Sequence, residues 1–170
     1  MTETRERIAA RVREAPGVHF RGLVRDLDLA PGQVQYHLRQ LEASDRVEPT
    51  TVRGRTHYFP PDVDPPRRRA VALLRRETAR DAVAVLARRG PTPPAAVADD
   101  LDVARSTLEH HLEGLVAEDI VRKEYDSRGR VTLALADEER AARALAAVEP
   151  TLPERLVDRF TRLVDGLLQE

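Results

Sequence analysis

The sequence predicts a mainly α-helical chain with small β-hairpins, built from two copies of one unit and ending in C-terminal helices. Apolar residues recur at helical spacing in several segments, and two pairs of β-prone segments are each joined by a short basic turn that contains glycine. Residues 26–41 and 100–115, aligned without gaps, share seven of sixteen residues. Such an internal match indicates that the unit is duplicated.

The first unit, predicted over residues 1–60, begins with two helices at residues 4–14 and 18–27, followed by a stretch at residues 29–43 that contains the third helix. Each helix carries apolar side chains at the spacing that places them on one face, against a common core. The third helix is predicted to start at Pro31, because the fixed φ of proline suits a first helical turn and its missing N–H is not needed there. The short turn between the second and third helices is typical of a helix-turn-helix.

The third helix has an apolar side and a polar side. The apolar side is predicted to face the core with Val34, His37, Leu38 and Leu41. The opposite side carries side chains that can donate and accept hydrogen bonds at base edges: Gln33, Gln35, Tyr36, Arg39 and Gln40. We predict that these five residues contact DNA; the alternative is a merely solvated polar face.

A β-hairpin is predicted after the third helix. Residues 47–52 and 56–59 are rich in β-prone side chains and are joined by Arg53-Gly54-Arg55. A hairpin in this position is the wing of a winged helix-turn-helix. Arg53 and Arg55 are predicted either to contact phosphates or the minor groove, or to form a solvated tip that prevents aggregation.

A second unit is predicted over residues 67–136, after a linker at residues 61–66. The linker is expected to be stiff and extended, since four prolines fall within residues 60–66. The second unit repeats the helices and a hairpin with a basic tip. Its third helix, however, carries Glu109 and Glu113 at or near the outward side, where they would meet phosphates of like charge. We therefore favour a partner or dimer surface for this helix over DNA contact.

Residues 137–170 are predicted to form C-terminal helices that dimerise the chain. One helix covers residues 137–148, and a second runs from Thr151 to Leu168. The second helix has an apolar stripe with alternating spacings of four and three: Leu156, Phe160, Leu163 and Leu167. Such a stripe needs a partner, so we expect a homodimer.

The composition argues against an enzyme and against metal or cofactor chemistry. The chain has no cysteine, no glycine-rich phosphate loop and no nucleophile motif, and its five histidines lack the i, i+4 pairing of a metal site. His37 and His111 are predicted to be core histidines hydrogen-bonded to backbone.

No apolar run approaches the roughly 18 residues of a membrane span, and the N-terminus is charged, so we expect a cytoplasmic protein.

The charge balance by itself does not indicate a nucleic-acid partner. The 28 basic residues nearly cancel the 29 acidic ones, for a net charge of −1. All the basic residues except Lys123 are arginine, which is typical of a GC-rich genome or of a salt-loving archaeon. The two predicted units are nevertheless the only net-basic parts of the chain.

Two stretches carry a resemblance to a known family: PGVHFRGLVRDLDLAPGQVQYHLRQLEASDRV in the first unit and RRETARDAVAVLARRGPTPPAAVADDLDVARSTLEHHLEGLVAEDIV in the second. The chain resembles archaeal transcription regulators built of tandem winged helix-turn-helix domains, which are similar to the ArsR and MarR groups. The resemblance implies binding to double-stranded DNA and control of transcription. We predict a homodimer that reads DNA with the first unit and uses the second unit and C-terminal helices to dimerise or to sense an unidentified effector. The alternative is a protein-interaction scaffold in a transcription or chromosome-segregation complex.

Overall fold

The computed structural model describes residues 2–148. The C-terminal helix predicted at residues 151–168, with its apolar stripe, lies outside the described residues. In the described part, the helices are α1 (Thr2–Glu14), α2 (Phe20–Leu27), α3 (Pro31–Ala43), α4 (Pro65–Leu74), α5 (Glu77–Arg89), α6 (Pro94–Asp100), α7 (Arg105–Ala117) and α8 (Glu138–Val148). The strands are β1 (Val18–His19), β2 (Glu48–Val52), β3 (Arg55–Phe59), β4 (Val121–Tyr125) and β5 (Val131–Leu135). The predicted fold class, mainly α with small hairpins, is confirmed.

The first unit has a core made by α1, α2 and α3. Ile8 and Val12 from α1 and Leu23 from α2 are each fully buried, and they cluster with the inner face of α3. That inner face consists of the residues expected from the sequence: Val34, His37, Leu38 and Leu41. Burying a large apolar side chain contributes about 1.5–3 kcal/mol, so these contacts fix which face of α3 points outward.

Val18 and His19 were predicted to begin the second helix, and this prediction is wrong. They form β1, which pairs antiparallel with β3 through Val18–Tyr58 and His19–His57. The helix starts after His19, which is extended and caps α2 by accepting a hydrogen bond from the Gly22 N–H at Nδ1, at 2.9 Å. The pairing partner lies about forty residues away in the chain, so local periodicity does not reveal it.

The first hairpin, β2–β3, closes in a tight two-residue turn. Arg53 and Gly54 both have positive φ, at 48° and 77°, as a type I′ turn requires. Arg55 was predicted to belong to the turn, but it is the first residue of β3 and pairs with Val52. The two arginines therefore differ in backbone position, one in the turn and one in the strand.

The predicted linker is shorter than expected, because its last two prolines open α4. Asp64 caps this helix by accepting a hydrogen bond from the Arg67 N–H at 3.0 Å, and Pro65 and Pro66 occupy the first turn, where proline costs no hydrogen bond. The remaining segment is held against the helix. Arg68 donates to the carbonyl oxygens of Val63, at 2.6 Å, and Pro61, at 3.3 Å.

A larger core joins α4 to α8 with the second hairpin, β4–β5, and extends into the first hairpin through Val52 and Phe59. α8 contributes its buried side chains to this core: Ala141, Ala144 and Val148. The first unit is also tied to α4 directly. Arg75 donates two hydrogen bonds to the Pro16 carbonyl oxygen, at 3.1 and 2.8 Å, and burial lowers the pKa of its guanidinium to about 10.

The two segments that share sequence also share backbone conformation, at an offset of 74 residues. Asp28 and Asp102 follow α2 and α6 with φ of 51° and 52°. Asp45 and Asp119 follow α3 and α7, both with φ of 53°. The turns before and after the two third helices therefore have the same geometry.

Candidate nucleic-acid interface

The outward face of α3 is polar and exposed. The five α3 residues predicted to contact DNA all lie on it: Gln33, Gln35, Tyr36, Arg39 and Gln40. Tyr36 leaves 47% of its surface exposed, and its ring contacts that of His37 edge-on at a centroid distance of 5.1 Å. Gln33 is partly committed to the helix start, because its Oε1 accepts a hydrogen bond from the Ala30 N–H at 3.4 Å.

A groove of about 720 Å³ lies between α3, the first hairpin and the start of α2. Arg21, Arg39 and Arg55 line it, one from each of these elements, and Glu42 is the acidic residue among the lining side chains. Within the described part of the chain, no ion pair or side-chain hydrogen bond engages these three arginines. Unpaired guanidinium groups around a groove are suited to phosphate oxygens, which they can bind with two parallel hydrogen bonds.

Two of these three arginines, Arg39 and Arg55, were predicted from the sequence, and Arg21 was missed. Arg21 is exposed near the N-terminus of α2, next to the capping residue His19. The pKa of His19 is lowered mainly by burial, and the positive charge of Arg55 lowers it further. The sequence signal was weak, since one arginine on a short helix is ordinary; only the packing of β1 against β3 brings Arg21 beside the hairpin.

Arg53, also predicted to contact DNA, has protein partners in this structure. Its Nη2 lies 3.3 Å from His110 Nδ1 and 3.4 Å from Glu113 Oε2, both on α7, and 28% of its side chain is exposed. Arg53 therefore points to the second unit, whereas Arg55 lines the groove beside α3.

The acidic residues on α7 are paired. Glu109 accepts hydrogen bonds from Lys123 at 2.9 Å and from Arg105 at 3.3 Å. The hydrogen bond from Lys123 is the main reason that the pKa of the Glu109 carboxyl is lowered. Since Glu113 pairs with Arg53, both acids on this helix are accounted for by contacts within the chain.

The histidines differ from the expected backbone-bonded core residues. His37 is buried, and burial lowers its pKa, but its Nδ1 has no hydrogen-bond partner among the described residues. His111 is only half-buried. The expected arrangement occurs instead at His57, whose Nδ1 lies 2.7 Å from the Gly17 carbonyl oxygen. Among residues 2–148, no three His, Cys, Asp or Glu side chains are grouped so as to hold a metal ion.

These features define the class of the first unit: a helix-turn-helix domain with a hairpin wing. In agreement, residues 2–71 match the family described as HTH_HVO_0163_N, N-terminal HTH domain. No curated protein matches the chain. Among residues 2–148, every helix is too short or too polar to form a membrane span.

The chain is similar to several solved structures at low sequence identity. DNA-bound overoxidized AbfR is 14% identical, with 81% of this chain and 92% of that chain covered and a TM-score of 0.44. A MarR family transcriptional regulator from Silicibacter pomeroyi is 23% identical, with 61% and 77% covered and a TM-score of 0.39. ScpB from Mycobacterium tuberculosis is 18% identical, with 84% and 94% covered and a TM-score of 0.33.

Proposed function

We propose that the chain is a sequence-specific regulator of transcription that binds double-stranded DNA through its first unit. The observation that carries this proposal is the groove between α3 and the first hairpin, where Arg21, Arg39 and Arg55 converge without partners in the described part of the chain. A strand of duplex DNA carries one phosphate about every 3.4 Å, so several guanidinium groups around one groove suit its backbone.

In this arrangement α3 lies in the major groove and the first hairpin lies beside the sugar-phosphate backbone. Gln35, Tyr36 and Gln40 are the residues placed to read base edges, because they are exposed on the side of α3 opposite the core. Arg39 borders both the base-reading face and the groove, so it can serve either a guanine or a phosphate.

The second unit is proposed to be a second winged helix-turn-helix with a role other than reading DNA. Its turns have the geometry of the first unit, and the acids on α7 are already paired within the chain. We propose that the second unit and the C-terminal helices serve dimerisation or sensing. Since α8 packs its buried face into the core of its own chain, dimerisation would depend on the stripe at Leu156, Phe160, Leu163 and Leu167.

The proposal is tested by the binding of a random-sequence duplex, followed by fluorescence anisotropy at two salt concentrations. We expect binding that weakens as salt rises, and Arg39→Glu should weaken it severely. Arg13→Glu is the matched control, because Arg13 is exposed on α1, does not line the groove, and changes the net charge equally. If the wild type binds no duplex at either salt concentration, the scaffold alternative replaces this proposal.

A further inference from the structure

The outward face of α7 contacts the tip of the first hairpin, although His110 and Glu113 themselves remain exposed to solvent. At the 74-residue offset, Tyr36, Arg39 and Gln40 on α3 correspond to His110, Glu113 and Gly114 on α7. All three of the α7 residues lie against Arg53. Its Nη2 is 3.3 Å from His110 Nδ1 and 3.4 Å from Glu113 Oε2.

Gly114 makes room for the Arg53 side chain. A Cβ atom added at Gly114 would lie 3.2 Å from Arg53 Cδ and 3.0 Å from Leu73 Cδ2, closer than ordinary van der Waals contact. Gly114 is buried, whereas its equivalent Gln40 is exposed on the face of α3 that we assign to DNA. The position that offers a long polar side chain in one unit is thus a glycine that accommodates an arginine in the other.

The backbone of Arg53 is held as well as its side chain. Arg76, at the N-cap of α5, donates from Nη2 to the Arg53 carbonyl oxygen at 3.2 Å. The second unit therefore contacts the turn of the hairpin through both α7 and the start of α5. Arg55, two residues further on, is left lining the groove beside α3.

We propose that the outward face of α7 is a docking surface for the first hairpin and that Arg53 is a positioning residue, not a phosphate contact. By fixing the turn against α7, Arg53 places Arg55 at the groove. This assigns different roles to the two arginines of the hairpin. The positioning role rests on the proposed DNA binding, whereas the docking itself does not.

A charge swap distinguishes the two roles of Arg53. We would compare wild type, Arg53→Glu, Glu113→Arg and the double variant, measuring the affinity for a random-sequence duplex and its salt dependence. Arg53→Glu should weaken binding by about tenfold, and the double variant should recover most of the loss because the ion pair is restored with reversed polarity. The matched control is Arg55→Glu, which Glu113→Arg should not rescue.

The proposal would be overturned if the double variant did not recover binding and if the slope of log affinity against log salt were smaller in magnitude by about 0.9 in Arg53→Glu than in the wild type. That result would show that Arg53 contacts a phosphate directly. The proposal would also be overturned if Glu113→Gln bound the duplex more tightly than the wild type, with a salt slope steeper by about 0.9. Arg53 would then be a DNA contact that Glu113 holds away from the phosphate.

Amide hydrogen exchange at residues 52–56 tests the docking independently of DNA. Exchange should accelerate in Arg53→Glu and slow again in the double variant. If the wild type binds no duplex, the proposed function and the positioning role both fail, and exchange alone decides whether α7 holds the hairpin. Unchanged exchange in Arg53→Glu would contradict the docking.

Discussion

Arg39 and Glu113 occupy equivalent positions in the two copies of the unit, but they have different surroundings. Both lie on the outward side of a third helix, but Arg39 borders an open groove and Glu113 lies against Arg53. Aligning the two copies in the sequence distinguished these positions by charge. It did not reveal the partner of Glu113, because Arg53 is sixty residues away and only the fold brings the two together.

At the residue scale, Gly17 should be intolerant of substitution. Its φ is +83°, and a Cβ atom would lie 3.1 Å from both Phe59 Cζ and Val71 Cγ1. Gly17→Ala should reduce the free energy of unfolding by about 1–3 kcal/mol, as measured by chemical denaturation. Gly32→Ala is the matched control: it lies in the first turn of α3 with open space around it, and it should be neutral or stabilising by about 0.5 kcal/mol.

The buried histidines predict how stability depends on pH. Burial is the main cause of the lowered pKa values of His37 and His57, so the unfolded chain binds protons more readily than the native protein. The free energy of unfolding should therefore be highest above the ordinary histidine pKa of about 6.5 and should decrease as the pH falls below that value. His37→Gln should flatten the decline in unfolding free energy measured between about pH 7 and 5. An equally steep decline in that variant would contradict this assignment.

At the scale of elements, periodicity predicted the helices well, because each helix buries one face and side chains on that face recur every three or four residues. Both faces of α3 were therefore predicted before its partners were known. β1 and the start of α4 were not predicted from the sequence, for two different reasons. β1 depends on pairing with a distant strand, and α4 begins with prolines that a composition argument assigned to an extended linker.

The cap of α4 gives a prediction for that element. Asp64→Ala should reduce the free energy of unfolding by roughly 0.5–2 kcal/mol, because it removes the acceptor of the Arg67 N–H. Asp62→Ala is a suitable control, since Asp62 is exposed in the same segment and does not cap the helix. Equal effects of the two substitutions in thermal or chemical unfolding would show that the cap does not stabilise α4.

At the scale of the whole molecule, the two units share a packed boundary. Val52 and Phe59 of the first hairpin belong to the core of the second unit, and Arg75 binds the Pro16 carbonyl. The sequence predicted two units but not this boundary, since the proline-rich segment indicated a spacer. These contacts connect the second unit to the first hairpin, which lies beside α3, the helix that we propose reads DNA.

The assembly is predicted to depend on residues 150–170. Their apolar stripe would leave several large side chains without cover in a monomer, at a cost of about 1.5–3 kcal/mol each. We expect the full chain to be a dimer in light scattering and the chain truncated after residue 149 to be a monomer. A dimer that survives truncation, or a full-length monomer, would refute the role of the stripe.

The central claim, that the groove beside α3 binds the DNA backbone, is tested most directly by the salt dependence of duplex binding. Each phosphate contact contributes about 0.9 to the slope of log affinity against log salt. The triple variant Arg21→Ala, Arg39→Ala and Arg55→Ala should bind more weakly. The magnitude of its slope should fall by about 2.7 if all three arginines contact phosphates, and by about 1.8 if Arg39 contacts a guanine. An unchanged slope in the folded triple variant would show that DNA, if bound, is bound elsewhere.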